Sequence, residues 1–325
     1  MLINRRKKTT IIERDFLIHG HLVRICFAGQ SMLEPCTLAL EHLAVEPGNT
    51  APELTIYAWD SASSGINLPP CPWQPQQIAP DGTVRDLLND SLRAALQVEI
   101  GALSHYYPKQ HLATMIHGGV VGTELGGALL VGHSGSGKST STLACLNAGM
   151  RFVTDDRCLL SLSPEPSALC IYNSAKLWPE QMRLFPQLMP KTDAIQPGRN
   201  EKDLLFIQQI LPKQLAFQLP IRVILLTHIV KQPKTTLSRV SPIRVLRDLI
   251  PSTLIYQPGA AHDEMRVMSE LLRRVPCLQI NLGSELTPIP VMIAKAIAGP
   301  KHPFTSNFQG EISDALSSQY TPSQQ

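Results

Sequence analysis

Between residues 128 and 140 the chain reads Ala-Leu-Leu-Val-Gly-His-Ser-Gly-Ser-Gly-Lys-Ser-Thr, an apolar run that breaks into glycines and resumes as helix-forming sequence. Few patterns restrict a fold so strongly. The apolar run has the length of a buried strand, the glycines permit backbone at positive φ, and Thr140 to Ala148 suits a helix. Gly132, Gly137, Lys138 and Ser139 stand at the spacing G-x-x-x-x-G-K-[ST], in the strand–turn–helix context that pattern demands. Such a turn directs backbone N–H groups inward, and the helix start adds its positive dipole end. The ligand that fits is a nucleoside triphosphate. Gly132, Ser134, Gly135, Ser136, Gly137, Lys138, Ser139 and Thr140 would line it, with Lys138 between the β- and γ-phosphates and the Ser139 hydroxyl on Mg²⁺.

Composition sets the bounds around this run. At 325 residues there is room for two domains with real cores, and a 43% hydrophobic, 17% charged composition is ordinarily globular. A net charge of +3 gives no argument for nucleic acid as a partner. Seven scattered cysteines without a C-x-x-C pair suit reduced thiols and a cytoplasmic location rather than a disulfide frame or a zinc site. Arg5-Arg6-Lys7-Lys8 has the charge of an export signal but no apolar segment after it, and no run is long enough to span a membrane.

The chain divides by texture. Residues 1–80 read as a β-rich N-terminal domain, with strands in Leu17 to Phe27 and Glu53 to Trp59 and a more helical stretch from Ser31 to Val45. On one strand His19 and His21 would share a side; without a third ligand at a metal spacing they read as surface histidines. Ser61 to Pro80, with five prolines, is a linker. Residues 81–110 connect, with a helix expected over Val84 to Val98. Residues 111–300 form the second domain. Leu112 to Val121 and Ala128 to Val131 are strands around a hairpin turn at Thr123 to Gly127, and Cys158 to Leu162 and Ala168 to Tyr172 make another hairpin. Ile221 to Val230 is the most strand-like run of the C-terminal half, with Leu237 to Val240 expected to pair with it. Helices are expected from Pro242, over Ala261 to Arg274 and over Pro290 to Ala298, with a last strand at Pro276 to Asn281. Residues 301–325 are polar and read as a disordered tail. The fold class is α/β in the broad α+β sense, a mixed sheet around the loop strand with hairpins on its edge.

One short helix beyond the loop, Arg151 to Asp156 is an apolar strand ending in two carboxylates. It is expected beside the loop strand, with its C-terminal end at the phosphates. Phosphoryl transfer needs a carboxylate on Mg²⁺ and another to orient or deprotonate the attacking hydroxyl, and adjacent side chains at a strand end can divide those tasks. Asp155 and Asp156 are therefore candidates for both catalysis and metal binding.

Gly132-His-Ser-Gly-Ser-Gly-Lys-Ser-Thr140 followed by Gly149-Met-Arg-Phe-Val-Thr-Asp-Asp-Arg157 resembles the bacterial HPr kinase/phosphorylase family, whose kinase domain has a G-x-S-G-x-G-K-S loop, a short helix and a V-x-D-D-R strand end. His117-Gly118 matches the family's His-Gly in the strand before the loop. The resemblance implies a P-loop kinase core, a phosphoryl-transfer site lined by His117, Asp155 and Asp156, ATP and Mg²⁺ as cofactors, and a hexamer. Within this group the chain is similar to divergent HPr-kinase-related proteins, some of which phosphorylate serine on precursor peptides. The matches are Ser174-Ala175-Lys176-Leu177, Glu201-Lys202, Pro251 to Leu254 and Pro276-Cys277. Pro197-Gly-Arg-Asn200 resembles the family's R-P-G-R-N, with Gln196 in place of its first arginine. Lys176, Arg199 or Lys202 would neutralise charge on the moving phosphoryl group. The expected activity is transfer of a γ-phosphate to a serine or other hydroxyl of a protein or peptide. A regulatory ATPase or sensor, or a small-molecule kinase, is the alternative. No L-S-G-G-Q stretch of a transporter ATPase and no N-K-x-D guanine-reading motif is present.

Overall fold

The computed structural model describes residues 11–28, 33, 37–59, 83–86, 113–188, 195–196, 203–254 and 261–299. These divide into two compact units, one within residues 1–108 and one from 109 onward apart from 256–260.

In the first unit, β1 (Ile11–Ile18) and β2 (His21–Ala28) form an antiparallel hairpin. The tight turn is His19-Gly20, with φ of 52° and 90°. The expected single strand is thus two, and His19 and His21 lie on either side of a reversal instead of sharing a strand face. A 3-10 helix, Leu38–Leu43, leads into β3 (Ala44–Val45), and β4 (Leu54–Trp59) pairs parallel to β2. Where a helix was expected to start, β5 (Thr83–Asp86) pairs parallel to β4 instead. Thr83 and Val84 are β-branched, a residue type that favours strand over helix; residues 87–98 lie outside the described residues. The sheet order is β3-β1-β2-β4-β5. Across the hairpin, buried Asp15 lies opposite Arg24 and receives two hydrogen bonds from its guanidinium, at 2.7 and 2.8 Å.

The second unit opens with β6 (Ala113–His117), β7 (Gly119–Thr123) and β8 (Gly126–Val131), followed by α1 (Lys138–Asn147), β9 (Arg151–Thr154), β10 (Arg157–Ser161) and β11 (Ser167–Cys170). The strand expected over 112–121 is broken at Gly118. A Cβ there would sit 2.8 Å from the Leu130 carbonyl oxygen and 2.9 Å from Leu129, so only glycine lets the chain cross β8 at this point. Next come β12 (Ser174–Leu177), β13 (Ile195–Gln196), β14 (Asp203–Phe206), β15 (Gln218–Ile229), β16 (Thr236–Arg239), α2 (Pro242–Leu254), α3 (Ala261–Arg274), β17 (Cys277–Leu282) and α4 (Pro288–Ala298).

The large sheet runs β6-β10-β11-β15-β8-β7-β9, with β17 added on β15 and β16 on β17. It mixes parallel pairs (β8–β15, β15–β17) with antiparallel hairpins, and β12-β14-β13 form a small antiparallel sheet beside it. Two strand neighbours differ from expectation. β9 pairs with β7, not with β8, because the β7–β8 hairpin fills that edge first. β16 pairs with β17, which takes the edge of β15 in parallel and displaces the expected hairpin partner. β8 is buried on both faces. Leu129 and Val131 pack in one core with Leu143, Val245, Leu249, Met268 and Leu271, while Ala128 and Leu130 pack in another with Ile289, Ile293 and Ile297. Two covered faces explain why its sequence is continuously apolar. Residues 301–325 lie outside the described residues, as do Arg199, Glu201 and Lys202.

Candidate functional site

β8 ends at Val131 and the chain turns through residues 132–137 into α1. Gly132, Gly135 and Gly137 take φ of 147°, 79° and 96°, backbone that side-chain-bearing residues rarely adopt. A Cβ on Gly137 would lie 2.6 Å from Leu282. Gly137 is the N-cap of α1, and no side chain caps that end. Helix geometry leaves the first N–H groups without partners inside the helix, so they present donors and the positive dipole end to the loop. His133, Ser134 and Gly135 are exposed at the loop's outer rim; Ser139 and Thr140 are half-buried in the first turn of α1.

Lys138 is buried and folds its ammonium back over the loop, donating to the carbonyls of Gly132 at 2.7 Å and His133 at 3.1 Å. The Ser136 hydroxyl points away from the rim, into the sheet, against Thr227 at 2.7 Å. Of the residues expected to line a ligand, Ser136 thus has its hydroxyl engaged behind the loop.

β9 runs parallel to β8 because both are antiparallel to β7, so it ends at the same end of the sheet as the loop. The register sets Thr154, Val120 and Leu129 in one row, which brings Asp155 and Asp156 level with the last residues of β8. Gly119 fills the gap between, where a Cβ would collide with Thr142 of α1 and lie 3.7 Å from the Asp155 carbonyl oxygen. Thr154 closes the turn after β9. Its hydroxyl accepts from the N–H groups of Asp156 and Arg157 and donates to the Arg157 carbonyl.

Four sequence candidates meet here. Asp155 is buried and accepts the backbone N–H of Lys176 at 2.9 Å. Asp156 receives the Lys176 ammonium at 2.8 Å on one oxygen and His117 Nε2 at 3.1 Å on the other. Two backbone relations hold His117 in place: it pairs with Arg157 across β6–β10, and Gly118 N–H donates to the Asp156 carbonyl at 2.9 Å. Among the described residues His117 Nδ1 is buried without a hydrogen-bond partner, while Nε2 faces Asp156. Burial alone would raise the Asp156 pKa, but the His117 hydrogen bond and the charges of Lys176, His117 and Arg157 outweigh it and hold the carboxyl well below the usual range. Asp156 is a fixed anion.

Mg²⁺ prefers oxygen donors and keeps water and phosphate oxygens among its six ligands, with one or two carboxylates from the protein. Ser139 and the Asp155-Asp156 pair offer that chemistry. Among the described residues no group of three or more His, Cys, Asp or Glu could hold a metal, so phosphate or water would have to supply the remaining ligands. The uncapped start of α1 and the left-handed glycines fit a phosphate chain.

Sequence reasoning missed Thr227. The signal was a hydroxyl ending an otherwise apolar buried run, Val223 to Leu226, since a buried hydroxyl must find a partner. No helix among the described residues is long and apolar enough to cross a membrane. No family model matches the chain, and no curated protein matches it. Among solved structures, the Hpr(Ser) kinase/phosphatase from Coxiella burnetii is a distant match at 12% sequence identity and a TM-score of 0.29. That match covers 55% of this chain and 91% of the other, and a likeness so slight carries no argument of its own.

Proposed function

We propose that the chain is an ATP-dependent phosphotransferase that moves the γ-phosphoryl group to a serine or other hydroxyl of a protein or peptide. The observation that carries this reading is one end of one sheet. There a loop of left-handed glycines opens into an uncapped helix start, and a parallel strand delivers two carboxylates to the same end.

Each residue then has a task. The loop N–H groups and the start of α1 bind the phosphates, and Lys138 exchanges its carbonyl partners for phosphate oxygens. Ser139 and the carboxylate pair, Asp155 foremost, would hold Mg²⁺, which would supply positive charge to the phosphates. Asp156 accepts a hydrogen bond from the acceptor hydroxyl and orients it in line. An anion of such low basicity is a weak base but a good positioning group, which is what a loose phosphoryl-transfer transition state requires. The γ-phosphorus bond to the bridging oxygen of ADP breaks, a bond to the hydroxyl oxygen forms, and the hydroxyl proton is released to water while Asp156 keeps the hydroxyl oriented. His117 keeps Asp156 in place, and Lys176 adds positive charge where the transferring group is most anionic.

The test is incubation of the purified chain with γ-labelled ATP and Mg²⁺, with and without a lysate of its host, beside Lys138→Ala and Asp155→Asn variants. Label on a discrete acceptor, lost in both variants, is the expected result. Label released only as free phosphate would favour an ATPase or sensor, and absence of nucleotide binding would refute the reading.

A further inference from the structure

The loop is anchored from behind by a pair of buried hydroxyls. Thr227 follows the apolar stretch of β15, one residue past Leu226, which pairs with Val131 at the end of β8. Thr227 Oγ1 lies 3.0 Å from the Val131 carbonyl oxygen and 2.7 Å from Ser136 Oγ, and both side chains are 2% exposed. A carbonyl only accepts, so the single Thr227 proton goes to Val131 and the Ser136 hydroxyl donates to Thr227. One hydroxyl thereby joins the entry of the loop to its fifth residue. The same pair explains Gly132, since a Cβ there would sit 2.6 Å from Ser136 Oγ and 2.8 Å from Thr227 Oγ1.

We infer that Thr227 is a positioning residue for nucleotide binding: through Ser136 and Val131 it holds the glycine loop in the left-handed path it takes between β8 and α1. The inference rests on the nucleotide reading above. Without this hydroxyl the buried Ser136 hydroxyl and the Val131 carbonyl each lose a hydrogen-bond partner. The loop relieves that cost by moving, and affinity falls with the fraction of molecules still in the competent shape.

The experiment compares Thr227→Val, which keeps the shape but removes the hydroxyl, with Thr227→Ser, which keeps the hydroxyl. Mg²⁺–ATP affinity is measured by calorimetry at a temperature where circular dichroism shows all three proteins folded, and hydrogen exchange is followed at residues 132–138. Thr227→Val is expected to weaken binding about tenfold and to speed loop exchange by a similar factor, with Thr227→Ser within about twofold of the parent. A Thr227→Val protein with parental affinity and exchange would overturn the inference. So would a Thr227→Ser protein as impaired as Thr227→Val, because packing of the methyl group would then be responsible. If the parent binds no ATP, the nucleotide reading falls; loop exchange still shows whether the hydroxyl holds the loop.

Discussion

Lys176 touches both carboxylates, its backbone N–H on Asp155 and its ammonium on Asp156. Removing the side chain alone separates these contacts. Lys176→Met is expected to lower kcat about a hundredfold with little change in the KM for ATP, the pattern of a charge that acts mainly in the transition state; steady-state label transfer measures it. A second residue-scale prediction concerns Asp15, whose hydrogen bonds from Arg24 hold its carboxyl below the ordinary range against the opposing effect of burial. A carboxyl depressed in the folded state contributes stability above its unfolded pKa of about 4 and loses that contribution as pH falls through the folded value. Arg24→Met leaves the buried carboxylate without its guanidinium partner, at a cost of about 3 kcal/mol at neutral pH. Protonation relieves that cost, so the gap between variant and parent should narrow as the solution is acidified. Urea titrations at pH 7, 5 and 3.5 would reveal it.

At the scale of elements, the contacts that aim the carboxylates are made where side chains are missing. Gly118 and Gly119 let β6 cross β8 and let α1 settle on β7. Gly118→Ala is expected to lower unfolding free energy by about 1–3 kcal/mol, since the obstacle is the Leu130 carbonyl and backbone cannot step aside as a flexible side chain can; equilibrium urea unfolding tests this. Such elements were legible in sequence wherever the determinants are local. The apolar run, the glycines and the helix formers specify β8, the loop and α1; Ser-Pro-Glu-Pro specifies the β10–β11 turn; and Ala261 to Arg274 has its helix at the expected bounds. Beyond the two hairpins, neighbours in the sheet were not legible, because pairing is settled by what else competes for an edge. The Lys231 to Lys234 turn resembles a hairpin connection, yet β17 reaches the edge of β15 from some fifty residues downstream and β16 pairs outside it. At His19-Gly20 the error was local: two residues at positive φ, one of them glycine, reverse a chain whose flanks both read as strand. Of the site, Asp155, Asp156, His117 and Lys176 could be named from sequence, while their mutual contacts could not.

At the scale of the molecule, the two units have separate sheets and separate cores, and the loop and both carboxylates belong to the second. Ligand binding should therefore appear as stabilisation. Mg²⁺–ATP at a hundred times its Kd adds about 2.7 kcal/mol to the folded state, which for a unit of this size raises its Tm by roughly 5–10 °C. Scanning calorimetry with and without nucleotide would show the shift, and Lys138→Ala should abolish it. β15 has a further consequence. It spends its first residues on β11, its middle on β8 and its last on β17, and its Thr227 lies 91 positions beyond Ser136. On a ribosome the glycine loop emerges long before the strand that shapes it. A nascent chain halted near residue 210 would carry every residue of the loop and yet have no ordered cradle. Capacity to hold a nucleotide would arrive late and abruptly during synthesis, as a mark that the second unit is nearly complete.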